Sequence, residues 1–426
     1  MCIAPQPLKE GRVVTWEQLA SHAKPDDLWV AVNGRAYDLT AYQSAHPGGA
    51  LILQHHAGRD ASEAWLAYAH NSVPGMRQLM RSHQMERDGL FVPNLWHYAR
   101  LTVALIAVYA VCIHLVHARC WLSGGLLMSL FWQQLALVGH DVGHNQIFHR
   151  RSLDSLVGLF ISFFLGASVQ WWKYNHNVHH CTPNSSDHDP DIQHMPLFSL
   201  SNKVFTGIYS SYYKATLMVD ALSKRFISYQ HFTFLPVLLV ARFGFYIMSS
   251  IHLISRTRPS IYKPVEVAAF LGFFVWYFML VWTLPTWLER IAFFAASHAG
   301  FSIIHLQVTL NHWARPVKST DAGSIEEYGN DWTLMQMAST NNVDCPEWLD
   351  WFHGGLQFQI EHHLYPDLPR HQLRRASAYV RPMCHELGIQ YHSPPFFQAI
   401  AEVLAALKVV ALEARVLDLP AKQAIT

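Results

Sequence analysis

The pattern of apolar and polar positions changes once along this chain. Up to about residue 90 the apolar residues come in short alternations. Leu28-Trp29-Val30-Ala31-Val32 leads into Asn33-Gly34 and then Ala36-Tyr37-Asp38-Leu39. An Asn-Gly pair between two such runs predicts a tight β-hairpin. Gly58-Arg59-Asp60-Ala61-Ser62 reads as a helix start, with Asp60 as N-cap or first-turn acid. Beyond residue 90 the apolar runs are long and unbroken. Ala99 to Val116 and Trp121 to Val138 are each about long enough to cross a hydrocarbon core. The link between them holds His117, Arg119 and a Ser-Gly-Gly turn, which predicts an antiparallel hairpin. Further apolar stretches cover Leu153 to Trp172 and about 231–254, 265–284 and 290–311. Polar segments with Pro, Gly, Asp and Asn follow over 315–348, then helical patterns over 371–388 and 396–416. Arg370, Arg374, Arg375 and Arg381 would give the first of those helices a basic surface.

Histidine punctuates the apolar stretches. His176, His179 and His180 form an H-x-x-H-H pattern, His140 and His144 an H-x-x-x-H pattern, and Gln359, His362 and His363 a Q-x-x-H-H pattern. Residues three and four apart share one helix face, so each cluster can aim its rings into one small volume. Clustered imidazoles are the usual source of nitrogen ligands for metals. His312, at the end of the last long apolar stretch, is the best candidate ligand outside the clusters. His305 is either a proton or substrate contact or a satisfied buried histidine. The acidic run Asp187-His188-Asp189-Pro190-Asp191 is either a solvated loop or a source of carboxylates that orient the ligand rings.

The clusters constrain the topology. They meet on one side of a membrane only if an even number of apolar stretches cross it. The stretch at 153–172 lies between two clusters and so does not cross. Its Trp171, Trp172 and the nearby Tyr174 read as interfacial residues. Arg242, near the middle of 231–254, would be costly at the bilayer centre, so that stretch is also read as interfacial. Four helices then cross as two hairpins.

Composition agrees with a membrane protein. Hydrophobic residues make up 51% and charged residues 14% of the chain. The net charge of +1 argues against a nucleic-acid partner. The 28 histidines nearly equal Lys and Arg together, at 31. Six cysteines show no C-x-x-C spacing and read as thiols in a reducing compartment. Residues 1–30 contain no apolar run of signal-peptide type, so the N-terminus is expected in the cytosol, and with four crossings the C-terminus as well. Eight histidines (His140, His144, His176, His179, His180, His312, His362 and His363) exceed the need of one tetrahedral zinc. They suit two first-row metals with open positions, and iron is the one that activates O2.

The motif His46-Pro47-Gly48-Gly49, the stretch Gly58-Arg59-Asp60-Ala61 and His70 give residues 12–87 a resemblance to cytochrome b5 domains. The resemblance implies haem b with His46 and His70 as axial ligands, in a pocket drawing on Leu39, Tyr42, Leu51, Ile52, Trp65 and Leu79, six residues that read equally well as the ordinary core of a small fold. His55 and His56 are expected at the surface. With Asn184 to His194, Ser228 to Phe234, Leu310-Asn311-His312 and Trp348 to Gln359, the resemblance extends over almost the whole chain. It resembles membrane front-end desaturases with fused cytochrome b5, most of all plant sphingolipid Δ8 desaturases.

That resemblance implies an α+β cytochrome b5-like domain, then an all-α membrane desaturase domain with four transmembrane helices and a cytosolic histidine-rich cap over residues 95–395. A C-terminal helix and tail would occupy 396–426. It further implies two iron ions, O2, an acyl-lipid or sphingoid-base substrate, electrons from NADH-cytochrome b5 reductase, and the endoplasmic reticulum membrane. Gln359 stands in the catalytic set, bound to metal directly or through water. The Δ6 and Δ5 fatty-acid desaturases share these motifs, and a lipid hydroxylase would use the same iron and oxygen.

Overall fold

The structure is a computed structural model that describes residues 6–7, 13–46, 49–67, 80–255, 260–317 and 332–417. The short alternations near the N-terminus form strands. In order come β1 (Gln6–Pro7), α1 (Trp16–Ser21), β2 (Ala23–Lys24), β3 (Asp27–Val32) and β4 (Arg35–Asp38). They make an antiparallel sheet of order β1-β4-β3-β2. Asn33 and Gly34 take φ +56° and +69°, and the predicted hairpin pairs Val32 with Arg35. Helices α2 (Ala50–His55) and α3 (Ser62–Ala67) cover the sheet. Asp60 accepts the Ser62 backbone N–H at 2.9 Å, so it caps α3 from just outside the helix. Leu28, Val30, Val32, Leu39 and Ala57 make the core, with Tyr42 and Trp65 against them.

Helix α4 (Met80–Arg87) leads to the long helices α5 (Leu95–His117) and α6 (Trp121–Gly143). Next are α7 (Arg151–Leu165), α8 (Val169–Cys181), a hairpin of β5 (Ile208–Ser210) and β6 (Ala215–Leu217), and α9 (Ala221–Ile227). Then come α10 (Gln230–Leu238), α11 (Arg242–Ile254), α12 (Lys263–Trp282), α13 (Trp287–Gly300) and α14 (Ser302–Leu310). The chain closes with α15 (Trp332–Ser339), α16 (Asp350–His353), α17 (Gln359–Leu364), α18 (Leu373–Glu386) and α19 (Phe396–Val416).

Among the described residues, four stretches are long and apolar enough to cross a membrane: α5, α6, α12 and the run from Trp287 to Leu310. The two stretches read as non-crossing are bent instead. Helices α7 and α8 meet at 111°, and α10 and α11 at 75°. Gly166 makes the first bend with a left-handed φ of +70°. Helix α6 is the interior member of the bundle, with Met128 and Trp132 fully buried, whereas α5 exposes Val103 and Ile106. Burying those α6 side chains against Phe273, Tyr277 and Phe293 holds the two hairpins together.

Several expectations change. Arg242 does not reach an interface: it is 1% exposed, stacks over Trp132 at 3.7 Å, and donates to the Leu165 carbonyl at 2.7 Å and the Tyr246 hydroxyl at 2.8 Å. Aromatic faces and backbone oxygen take the place of water around it. Trp171 packs edge-on to Phe245, Trp172 stacks on His176, and Tyr174 packs beside Tyr212, so these rings face protein. Arg370 is buried and pairs with Asp141, and Arg374 pairs with Asp350, so neither is spare surface charge.

The N-terminal sheet and its helices dock on the histidine-bearing end of the bundle. Leu51 and Ile52 of α2 pack against Val178 and Cys181 of α8 and against Tyr212. They therefore face the second domain, away from the core that holds Leu39. Glu63 accepts the Thr333 N–H and hydroxyl at 3.1 and 2.9 Å. His56 is buried and the ring of His55 meets His188 at 4.4 Å, which corrects the expectation that both lie at the surface. His188 of the second domain is what the docking sets against His55.

Candidate metal centre

The ends of four helices bring the histidine clusters together. His140 and His144 lie at the C-terminal end of α6, His176, His179 and His180 fill the second half of α8, and His312 follows α14. Gln359, His362 and His363 sit on α17, a short helix stopped by Tyr365-Pro366. All eight histidines read from the sequence meet here. They divide into groups whose ligand atoms lie within 4.8 Å of one another: His140, His144, His176 and His362 in one, His179, His312 and His363 in another. His180 lies between them, its ring 4.7 Å from His362 and 4.1 Å from His363. His176, His179 and Asp191 form a third, overlapping set.

The donor chemistry fits metal ions. The Nε2 atoms of His176 and His362 each face Nε2 of His180 at 3.1 Å. His180 Nε2 has one in-plane site, either a proton or a lone pair, so hydrogen bonds alone do not satisfy both contacts. Buried ring nitrogens of His140, His144, His312 and His363 also have no hydrogen-bond partner. The Oε1 of Gln359 is likewise buried and unpartnered. Burial holds His144, His180, His312, His362 and His363 well below the usual imidazole range, which keeps their lone pairs available.

A surrounding set of hydrogen bonds fixes the rings. His179 Nδ1 donates to both oxygens of Asp189, at 2.9 and 3.0 Å. Burial lowers the His179 pKa, but the charges of Asp189 and Asp191 outweigh it and raise the net value. Asp189 also accepts the backbone N–H groups of Asn184 and Asp191, both at 2.8 Å. The acidic run thus supplies a buried carboxylate that orients a ligand ring, and is not a solvated loop. His363 Nδ1 donates to Gln336 Oε1 at 2.8 Å. The buried Glu361 accepts from Asn342 at 2.8 Å and Tyr391 at 2.6 Å, which anchors α17 from behind. Sequence reading missed Gln336, Asn342 and Tyr391. A single Gln in Trp332-Thr333-Leu334-Met335-Gln336 carries no local signal of its role. Asp141, between the first two histidines, was visible but its partner Arg370 lies 229 positions away.

His305 stays outside the centre, its ring against Phe245 and Phe301. In the N-terminal domain His46 follows a 3-10 turn, and its Nδ1 donates to the Gly49 carbonyl at 3.0 Å. That bond leaves the lone pair on Nε2, as a haem ligand requires. His70 and Leu79 lie outside the described residues.

Comparison with known proteins agrees with this architecture. Residues 117–395 match the fatty acid desaturase family. Residues 15–87 match the cytochrome b5-like haem/steroid binding domain. The chain is 35% identical to the acyl-lipid (9-3)-desaturase of Borago officinalis, over 96% of each chain. It is 36% identical to the Delta(8)-fatty-acid desaturase 2 of Arabidopsis thaliana, over 95% of this chain and 94% of the relative. It is 37% identical to the Delta 8-(E)-sphingolipid desaturase of Emericella nidulans, over 79% of this chain and 62% of the relative. With a histidine-rich centre at one end of its apolar helices and a cytochrome b5-like domain before them, the chain belongs to the fatty acid desaturase family and is a desaturase.

Proposed function

We propose that the chain introduces a double bond between C8 and C9 of a sphingoid base, using O2 and two iron ions, with electrons from its own haem-bearing domain. The observation that carries this is the division of the buried histidines into two adjacent groups beside that domain. His140, His144, His176 and His362 would hold one ion, and His179, His312 and His363 the other, with His180 between them and Gln359 alongside. His46 and His70 would hold haem b. When bound, the iron pair supplies an oxidant able to remove hydrogen from an unactivated methylene. The protein fixes the rings through Asp189 and Gln336 and keeps the centre dry. Two electrons, two protons and two substrate hydrogens reduce O2 to two waters, and the substrate gains its double bond.

Residues 12–87, 95–395 and 396–426 would be the haem domain, the desaturase domain and the C-terminal helix with its tail. Electrons would come from NADH through cytochrome b5 reductase. The centre and both termini would face the cytosol from the endoplasmic reticulum membrane, with Arg150 and Arg151 on that side.

The relatives of Emericella nidulans and Lachancea kluyveri, both named Delta 8-(E)-sphingolipid desaturases, support the sphingoid substrate. The Borago officinalis relative, matched over nearly its full length, favours an acyl-lipid substrate as the second reading. Lipid analysis of yeast expressing the chain separates them. A Δ8-unsaturated long-chain base is expected. New unsaturation confined to fatty acids would move the substrate, and an added oxygen without a double bond would point to hydroxylation.

A further inference from the structure

The contact between the two domains falls on the helix that carries the central histidine cluster. The backbone at Gly49 approaches Tyr174 so closely that a Cβ there would lie 2.7 Å from Tyr174 Cε2. Gly49 has φ +93°, a conformation that few side-chain-bearing residues adopt. On one side of this contact, the Gly49 carbonyl holds His46 Nδ1. On the other, Tyr174 precedes His176 by two positions on the same helix, and His176 belongs to the larger histidine group. Around it, Leu51 and Ile52 meet Val178, Cys181 and Tyr212 in a buried apolar seam, so water is kept from the path.

We infer that this seam is the electron-entry contact of the enzyme, with Tyr174 as the residue that couples the His46 loop to the His176 side of the centre. The inference rests on the reading that the fused domain is the electron donor. Electron tunnelling falls off more steeply across a gap than through bonded or packed atoms. The route from His46 has one hydrogen bond to Gly49, one van der Waals contact to Tyr174, and then covalent helix to His176. With haem held by His46 and iron by the His176 group, each passage would move one electron, oxidising the haem and reducing the receiving iron by one. No bond forms or breaks, and two passages serve one turnover. Reducing equivalents would come from NADH through cytochrome b5 reductase. Tyr174 is a positioning residue, since it touches neither substrate nor the reacting atoms.

The test uses the full chain in lipid nanodiscs, loaded with haem and iron. Hydrogen exchange of α2 reports docking without any turnover. Stopped-flow absorbance of the pre-reduced haem, mixed with O2 and substrate, reports transfer. Tyr174→Ala is expected to keep the haem spectrum and iron content, speed exchange in α2, and slow haem reoxidation severalfold. Tyr174→Phe, which keeps the ring, should restore both the protection and the rate. Tyr212→Ala loosens the same seam from outside the centre and should slow reoxidation in step with its loss of α2 protection. Unchanged reoxidation in both alanine variants, or fast α2 exchange in the unmodified chain, would overturn the assignment. If a His46→Ala chain made full product in cells without other cytochrome b5, the donor reading itself would fail. Dependence on His46 with indifference to Tyr174 would sink only the contact.

Discussion

His179 donates Nδ1–H to Asp189 at 2.9 Å, and that pair decides which ring nitrogen His179 offers to the centre. Both side chains are buried, and Asp189 is itself held by two backbone N–H groups. Removing such a partner typically costs metal affinity or activity about 10–100-fold. Asp189→Ala is therefore expected to lower iron content and product by that order, with the haem spectrum intact. Iron per chain and unsaturated lipid per cell are the two measurements. Full iron occupancy in the variant would show that the ring is oriented by something else.

Arg370 and Asp141 form a buried ion pair with Nε to Oδ2 at 2.6 Å, which ties the end of α6 to the segment after α17. Arg370→Ala would strand the carboxylate of Asp141, which is fully buried. Losing one partner of a buried pair costs about 3–5 kcal/mol. A clear drop in unfolding temperature is expected, and the double replacement Asp141→Leu with Arg370→Leu should recover part of it. A single variant as stable as the parent would mean the pair is open to water.

Two glycines with similar surroundings in sequence should behave oppositely. A Cβ at Gly166 would run into the ring of Phe273, and the residue sits at φ +70°. Backbone strain alone costs about 1–3 kcal/mol there, before the clash is counted. Gly244, in α11, has nothing within 4 Å of its would-be Cβ. Gly244→Ala should be neutral or stabilising by up to about 1 kcal/mol from helix propensity. Thermal unfolding of the two variants compares them directly.

The N-terminal domain should lose stability in acid. Burial, with help from Arg59 and His46, lowers the pKa of His56 from 6.5 to about 4. Burial likewise holds His55 well below 6.5, with His188 adding to it. Between pH 6.5 and about 4 the unfolded chain binds protons that the folded chain refuses, so stability falls as pH falls through that window. For His56 alone the loss is on the order of 3 kcal/mol, at about 1.4 kcal/mol per pKa unit. Hydrogen exchange in α2 across the window should quicken on acidification, and His56→Gln should flatten the response. A profile unchanged by His56→Gln would assign the acid sensitivity elsewhere.

Much of this protein follows from local pattern. Long apolar runs, the hairpin at Asn33-Gly34 and the histidine spacings are properties of short windows, because helix and strand periods act over a few residues. Parity then limits how many runs can cross, and the bends at Gly166 and after Leu238 fall in the two runs read as non-crossing. Tertiary structure alone decides the rest. Sequence spacing does not show that His176 groups with His140 while its neighbour His179 groups with His312. It does not pair Arg370 with Asp141, or Gln336 with His363, across such separations. Nor does it bury His56 or set His55 against His188. Each of these depends on which surfaces exclude solvent from one another, and that is settled only when distant segments pack.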